Sequence, residues 1–239
     1  MAAAVSRQLE AAVLLVLGVV VIRLALEGGY LAYVKPSLFI PLLLTGGALI
    51  VLCVAALRRK AGSEGSTSGH PPPKTGLLLL APVLAIVLIA PDPLGAFAVS
   101  RGSINSLAQD LANDLPPLEA TDGQPVELSL SEFILRTLAE GDARPDGIPI
   151  TLQGFVVTDD DAGAALISRF AISCCAADAT PRQIKVTGLD VDWPEDTWIE
   201  VTGIWQGELA AEEPRIPELV VTEAREIRSP ATPYEYATY

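Results

Sequence analysis

Two adjacent cysteines and a nearby aspartate are the residues of this sequence best suited to chemistry. Cys174 and Cys175 lie in the stretch ISRFAISCCAADA, in which Asp178 follows three residues after the second cysteine. If the residues after the cysteines form a helical turn, Asp178 lies on their side of it, and two sulfurs and a carboxylate converge. The N-terminus of such a turn, together with Arg169, would lower the pKa of the thiols.

Four interpretations of the cysteine pair stay open. Paired thiolates suit a soft metal ion, Zn(II) or Cu(I), but a closed zinc site has four ligands. Residues 100–239 contain no histidine and no third cysteine, so such a site would need a partner chain. Adjacent cysteines can also form a strained, reducible disulfide or a disulfide with another chain. The fourth interpretation is the packing of two small apolar side chains.

The sequence predicts no enzyme. It contains no Walker loop, GxGxxG turn, HExxH helix or GxSxG elbow, which are the motifs that bring their own catalytic geometry. A cysteine nucleophile without a histidine lacks its usual base. The single histidine, His70, lies in a Gly-, Ser- and Pro-rich stretch that is typical of a solvated linker.

The charge differs sharply between the two parts of the chain. Residues 1–99 contain seven Lys or Arg against four Asp or Glu, whereas residues 100–239 contain nine against twenty-five. This asymmetry indicates a membrane part followed by an acidic part in water. An acidic domain repels phosphate groups, so we expect no nucleic-acid partner.

Three apolar stretches predict membrane-spanning helices, since a span takes about 20 apolar residues. They cover about 9–27, 38–57 and 75–93 within a transmembrane domain of residues 1–99. Arg58, Arg59 and Lys60 follow the second stretch directly, so the positive-inside rule predicts a cytoplasmic linker at 58–74. Three crossings would then place a tether, 100–125, and a final domain, 126–239, on the extracytoplasmic side.

The final domain is predicted to be all-β. After a short strand, Val126–Leu130, and a helix capped by Ser131, five segments alternate apolar and polar residues between turns. Glycines within these segments, such as Gly154 and Gly203, mark sharp bends or close backbone approach. Because five short strands avoid exposed edges by closing, we expect an OB-like β-barrel of five strands, with an immunoglobulin-like sandwich as the alternative. The fold class is therefore membrane α plus all-β.

The block ISRFAISCCAADA, together with DTWIEVTGIW and the terminal IRSPATPYEY, resembles the YcgQ-like family of uncharacterised bacterial membrane proteins. The family is described as subunits of two-component permeases. The resemblance covers nearly the whole chain, and its most specific part is Ser168–Ala179. It implies an accessory subunit in the bacterial cell membrane, a multi-span permease partner, and Arg169, Cys174, Cys175 and Asp178 as site candidates. The alternative function is a stand-alone, membrane-tethered thiol redox or metallochaperone-like protein.

Overall fold

The protein forms two compact units, Met1–Asp92 and Pro93–Tyr239. The structure is a computed structural model, and it describes residues 2–58, 92–105, 112, 114–119, 124–158, 165–188, 193–207 and 216–236. Within those residues the first unit is helical, and the second contains every strand of the sheet.

Two helices, α1 (Ala2–Leu26) and α2 (Phe39–Arg58), pack against each other in the first unit. Gly18 and Gly46 lie at their contact. A Cβ atom added to Gly18 would lie 2.9 Å from the carbonyl oxygen of Gly46, and one added to Gly46 would lie 3.0 Å from that of Gly18. The absence of side chains at these two positions therefore allows the backbones to touch, as small residues do between membrane helices.

The prediction of three membrane spans is wrong for the described part of the chain. One helix there, Pro36–Arg58, is long and apolar enough to cross a membrane. The apolar part of α1, Ala11–Leu26, falls short of the about 20 residues that a span requires, and it contains Arg23, which forms an exposed ion pair with Glu27. The third predicted span, 75–93, lies outside the described residues except for its last two, and so does the predicted linker 58–74 beyond Arg58.

The described residues of the second unit form seven strands and two short α-helices. The strands are β1 (Val126–Glu127), β2 (Pro149–Thr158), β3 (Ala165–Ile172), β4 (Thr180–Thr187), β5 (Trp198–Trp205), β6 (Glu218–Glu226) and β7 (Glu235–Tyr236). The helices are α3 (Ala96–Val99) and α4 (Leu130–Leu138).

The strands form one mixed seven-stranded sheet, so the prediction of a five-stranded OB-like barrel is wrong in its number of strands. Their order is β1-β2-β5-β6-β4-β3-β7, and β2 also pairs with β3. The pairs β1–β2, β4–β6 and β3–β7 are parallel, and the others are antiparallel. The two additional strands, β1 and β7, contain two residues each. β1 lies at the start of the predicted short strand Val126–Leu130. β7 was not predicted, because two residues are too few to show an alternation of apolar and polar positions.

Helix α4 begins two residues earlier than the sequence predicted. Its N-cap is Ser129 and not the predicted Ser131. The hydroxyl of Ser129 accepts a hydrogen bond of 3.0 Å from the N–H of Glu132. This is the expected geometry of a serine cap, which satisfies one of the free N–H groups of the first turn. The apolar side of α4, Leu130, Phe133 and Ile134, is buried in the larger core of the sheet.

A second core lies under β3 and β5, and we call it the aromatic core. Phe155 stacks on Phe170 with ring centroids 6.0 Å apart and meets Trp198 edge to face at 5.7 Å. The other members are apolar residues of α3, β2, β3 and the C-terminal segment, namely Ala96, Val99, Val157, Leu166, Ile172 and Tyr234. α3 precedes β2 by some fifty positions in the chain, yet it packs in the same unit because it provides an apolar face for the sheet.

The predicted tether, 100–125, is described only in part. Asn105 within it bonds to the main chain of β4, since its amide donates to the Gln183 carbonyl at 2.9 Å and accepts from the Gln183 N–H at 2.8 Å. The side chain therefore pairs with this stretch of β4 as a neighbouring strand would.

Candidate metal site

The cysteine pair lies in the turn that connects β3 with β4. Ala171 pairs with Thr180 in the antiparallel ladder, so residues 172–179 form a hairpin loop. A short 3-10 helix, Ala176–Asp178, closes this loop. We call residues 173–178 the cysteine turn. Ala176 and Ala179 pack against the aromatic core, which anchors the turn from below.

The carboxylate of Asp178 organises the main chain of the cysteine turn. Its Oδ1 accepts a hydrogen bond of 2.8 Å from the N–H of Ser173. Its Oδ2 accepts bonds of 2.8 Å from the N–H of Cys174 and 3.3 Å from the N–H of Cys175. In return the Cys175 sulfur accepts from the N–H of Asp178, so the two residues cap each other. Hydrogen bonds to a charged acceptor are about twice as strong as neutral ones.

The two sulfurs lie side by side at the surface. The Cys174 thiol donates to the Cys175 sulfur over a distance of 3.7 Å, and both residues are free cysteines. Cys174 is exposed and Cys175 is half-buried. Both sulfurs and a carboxylate oxygen of Asp178 lie within 4.8 Å of one another. The structure therefore brings together the three residues that the sequence predicted to converge.

The expectation of an acidified thiol is wrong. A hydrogen bond to the negatively charged Asp178 and another to Cys175 raise the pKa of Cys174 to about 11. A carboxylate that accepts a hydrogen bond from a thiol stabilises the protonated form of the thiol. The three-residue 3-10 helix that follows the cysteines does not offset this effect. Burial raises the pKa of Asp178, but the hydrogen bonds from the Cys174 thiol and three main-chain N–H groups outweigh it, and that pKa is lowered overall.

Arg169 does not join the cysteine turn through any of its described contacts. Its guanidinium donates to the carbonyl oxygens of Thr232, at 2.7 Å, and Pro233, at 3.1 Å, and lies 5.5 Å from the centre of the Trp198 ring. Burial lowers its pKa, and the negative charge of Glu235 opposes this shift. Arg169 therefore fastens the C-terminal segment to β3. The sequence predicted Arg169 as a residue of the site and did not predict this role.

Sequence reasoning also missed the residues that support the turn from the C-terminal segment. β7 pairs in parallel with Ala171 and Ile172, the last residues of β3 before the cysteines. The carboxylate of Glu235, in β7, accepts bonds of 2.6 Å and 2.8 Å from the N–H groups of Leu130 and Ser131. No local sequence pattern predicts either contact, because each contact joins residues that are far apart in the chain.

The sulfur separation fits a tetrahedral metal ion. With metal–sulfur bonds of about 2.3 Å and a tetrahedral angle, two thiolates on one zinc ion lie about 3.8 Å apart. The observed 3.7 Å agrees with this value. A disulfide bond, at about 2.05 Å, would need the sulfurs to move considerably closer. Among the described residues the group offers at most three ligands, so a four-coordinate ion would keep an open position.

Residues 134–237 match the family model described as the DUF1980 C-terminal domain. The match contains the cysteine turn and most of the sheet, and it covers somewhat less than half of the chain. It supports a relationship of this region to an uncharacterised family connected with the YcgQ-like proteins. The searches of curated proteins and of solved structures found no match.

Proposed function

We propose that the protein is a non-enzymatic, membrane-anchored subunit that binds a soft metal ion, Zn(II) or Cu(I), through Cys174 and Cys175. The observation that carries the proposal is the pair of free sulfurs held 3.7 Å apart in an exposed turn. Soft ions prefer thiolate ligands, and two preorganised thiolates lower the ordering cost of binding. The pKa of about 11 makes the Cys174 thiol a poor nucleophile at neutral pH, and a metal ion must displace the same proton when it binds the sulfur.

The open ligand positions support exchange of the ion. Structural zinc sites are closed by four protein ligands, whereas this turn offers two sulfurs and one carboxylate. The exposed Cys174 leaves the metal side of the turn accessible to donors from another molecule. A site of this kind suits the delivery or acceptance of an ion by ligand replacement.

We expect the purified full-length protein, in detergent and under reducing conditions, to bind about one Zn(II) or Cu(I) per chain after chelator treatment. The Cys174→Ser/Cys175→Ser double variant removes both sulfur ligands and should weaken binding by at least about a hundredfold, the upper range for losing supporting residues alone. Competition with a chromophoric chelator measures the affinity.

The matched control is Cys53→Ala, which removes the third cysteine, buried in α2, and leaves the turn intact. It should bind the ion as the natural chain does. Equal binding by the double serine variant would contradict the metal function and leave packing as the role of the pair.

The membrane part of the proposal rests on α2, and the permease part on the family resemblance. We propose that α2 anchors the chain and that the second unit lies on the extracytoplasmic side, where it serves a multi-span permease. A tagged chain purified from its native membranes should retain one multi-span protein at equal stoichiometry. A reporter that functions only outside the cytoplasm should be active when it is fused after Tyr239. Metal binding without any such partner would favour the stand-alone metallochaperone-like alternative.

A further inference from the structure

We propose that Asp178 is a positioning residue of the metal site: its carboxylate holds the main chain of Ser173, Cys174 and Cys175 in the turn that presents both sulfurs to one ion. The inference rests on the proposed metal function for its purpose, but the geometry it describes exists without metal. It differs from the expectation that Asp178 is the third ligand.

The hydrogen bonds of Asp178 leave little capacity for a metal. A carboxylate has about four acceptor positions. Three are filled by the N–H groups of residues 173–175, and the Cys174 thiol supplies a further donor. A ligand role would draw the carboxylate away from these three main-chain donors. Positioning keeps the three main-chain bonds as they stand, and only the bond from the Cys174 thiol is lost when that thiol gives up its proton to bind the ion.

The three N–H groups belong to the residues that determine where the sulfurs point. Fixing the N–H of Cys174 and of Cys175 on the same oxygen, Oδ2, fixes the orientation of the peptide between them. Consecutive side chains of an extended strand point to opposite faces, so the natural course of β3 would separate the two sulfurs. The carboxylate turns the chain at this point and keeps the sulfurs 3.7 Å apart.

Asparagine is the informative replacement. It keeps the size of the side chain but offers one oxygen, with about two acceptor positions, and an NH2 group that cannot accept from any N–H. At least one of the three main-chain bonds is lost, and the second oxygen is replaced by a donor that faces other donors. Asp178→Asn should therefore let the two cysteines drift apart without changing their number or exposure.

The test measures thiol proximity and metal binding separately, in full-length Cys53→Ala protein so that only the turn thiols react. Phenylarsine oxide is the proximity probe. It forms two As–S bonds with two neighbouring thiols and releases one water, and intact mass reports the bridged product. Zn(II) affinity is measured on the same samples, and tryptophan fluorescence confirms that the second unit is folded.

We expect Asp178→Asn to lower both the bridging affinity and the Zn(II) affinity, each on the order of tenfold, as for small misplacements of reacting groups. The control is Glu223→Gln, which removes one negative charge, as Asp178→Asn does, but at an exposed position of β6. It should alter neither the bridging affinity nor the Zn(II) affinity. If Asp178→Asn unfolds the unit, Asp178→Glu, which keeps both oxygens one methylene further out, serves in its place.

Two results would overturn the inference. Weaker Zn(II) binding with unchanged bridging would make Asp178 a ligand, and no change in either would remove it from the site. Weaker bridging in a protein whose natural chain binds no metal would instead support the positioning role while the proposed metal function fails.

Discussion

Replacing Gly154 with alanine is expected to destabilise the second unit strongly. A Cβ atom at this buried position of β2 would overlap the side chain of Ile167 and lie 2.7 Å from the carbonyl oxygen of Ser168 and 3.1 Å from Leu130. The side chains can adjust, but the Ser168 carbonyl belongs to the paired strand β3 and cannot retreat without breaking that pairing. Overpacking of a core typically costs about 1–3 kcal/mol, and we expect the upper end or more.

Urea unfolding followed by tryptophan fluorescence measures this effect, since all three tryptophans belong to the second unit. Gly47→Ala is the control, because a Cβ atom on Gly47 meets nothing within 4 Å. It should leave the transition of the second unit unchanged. A Gly154→Ala protein with the natural midpoint would show that β2 and β3 are not as close as described.

The second large effect is expected from Glu235→Ala. The buried carboxylate accepts two bonds from the first turn of α4, at Leu130 and Ser131. Hydrogen bonds to a charged group contribute about 1.5–3 kcal/mol each, and the two N–H groups would be left buried without an acceptor. We expect the free energy of unfolding to fall by about 3 kcal/mol in the same urea experiment.

Glu235→Gln separates the two contributions. The amide keeps one oxygen, so it should retain part of the stability that alanine loses. Glu223→Ala, at an exposed position of β6, should change stability by less than about 0.5 kcal/mol. Equal stability of the alanine and natural proteins at position 235 would refute the capping role of this carboxylate.

Local patterns predicted the central strands well. In β5 half-buried and buried residues alternate without exception from Trp198 to Trp205, and this periodicity is visible in the sequence. Each of the five predicted strand segments overlaps one of the strands β2 to β6, although β4 begins two residues before its segment. The short predicted strand Val126–Leu130 contains β1 in its first two residues. The same reasoning missed β7, because its two residues are held by a parallel partner far away in the chain. It also misplaced the start of α4, whose N-cap is Ser129 and not the predicted Ser131.

The candidate site was predictable in its composition and not in its electrostatics. The spacing of Cys174, Cys175 and Asp178 was sufficient to predict their convergence. The pKa of the thiol moved in the opposite direction from the expectation, because the nearest charge is the carboxylate and not Arg169. Which charge lies closest depends on the C-terminal segment, whose carbonyl oxygens bind the guanidinium.

The bond between Glu235 and Leu130 also constrains when the second unit can mature during biosynthesis. Its two residues are 105 positions apart. Translation proceeds at about 5–20 residues per second, so the first turn of α4 waits roughly 5–20 s on the ribosome before its cap is made. Until then the nascent hairpin of β3 and β4 has no β7 beside its thiols. During this interval an unwanted disulfide can form between these thiols and others, or a chaperone can bind the hairpin.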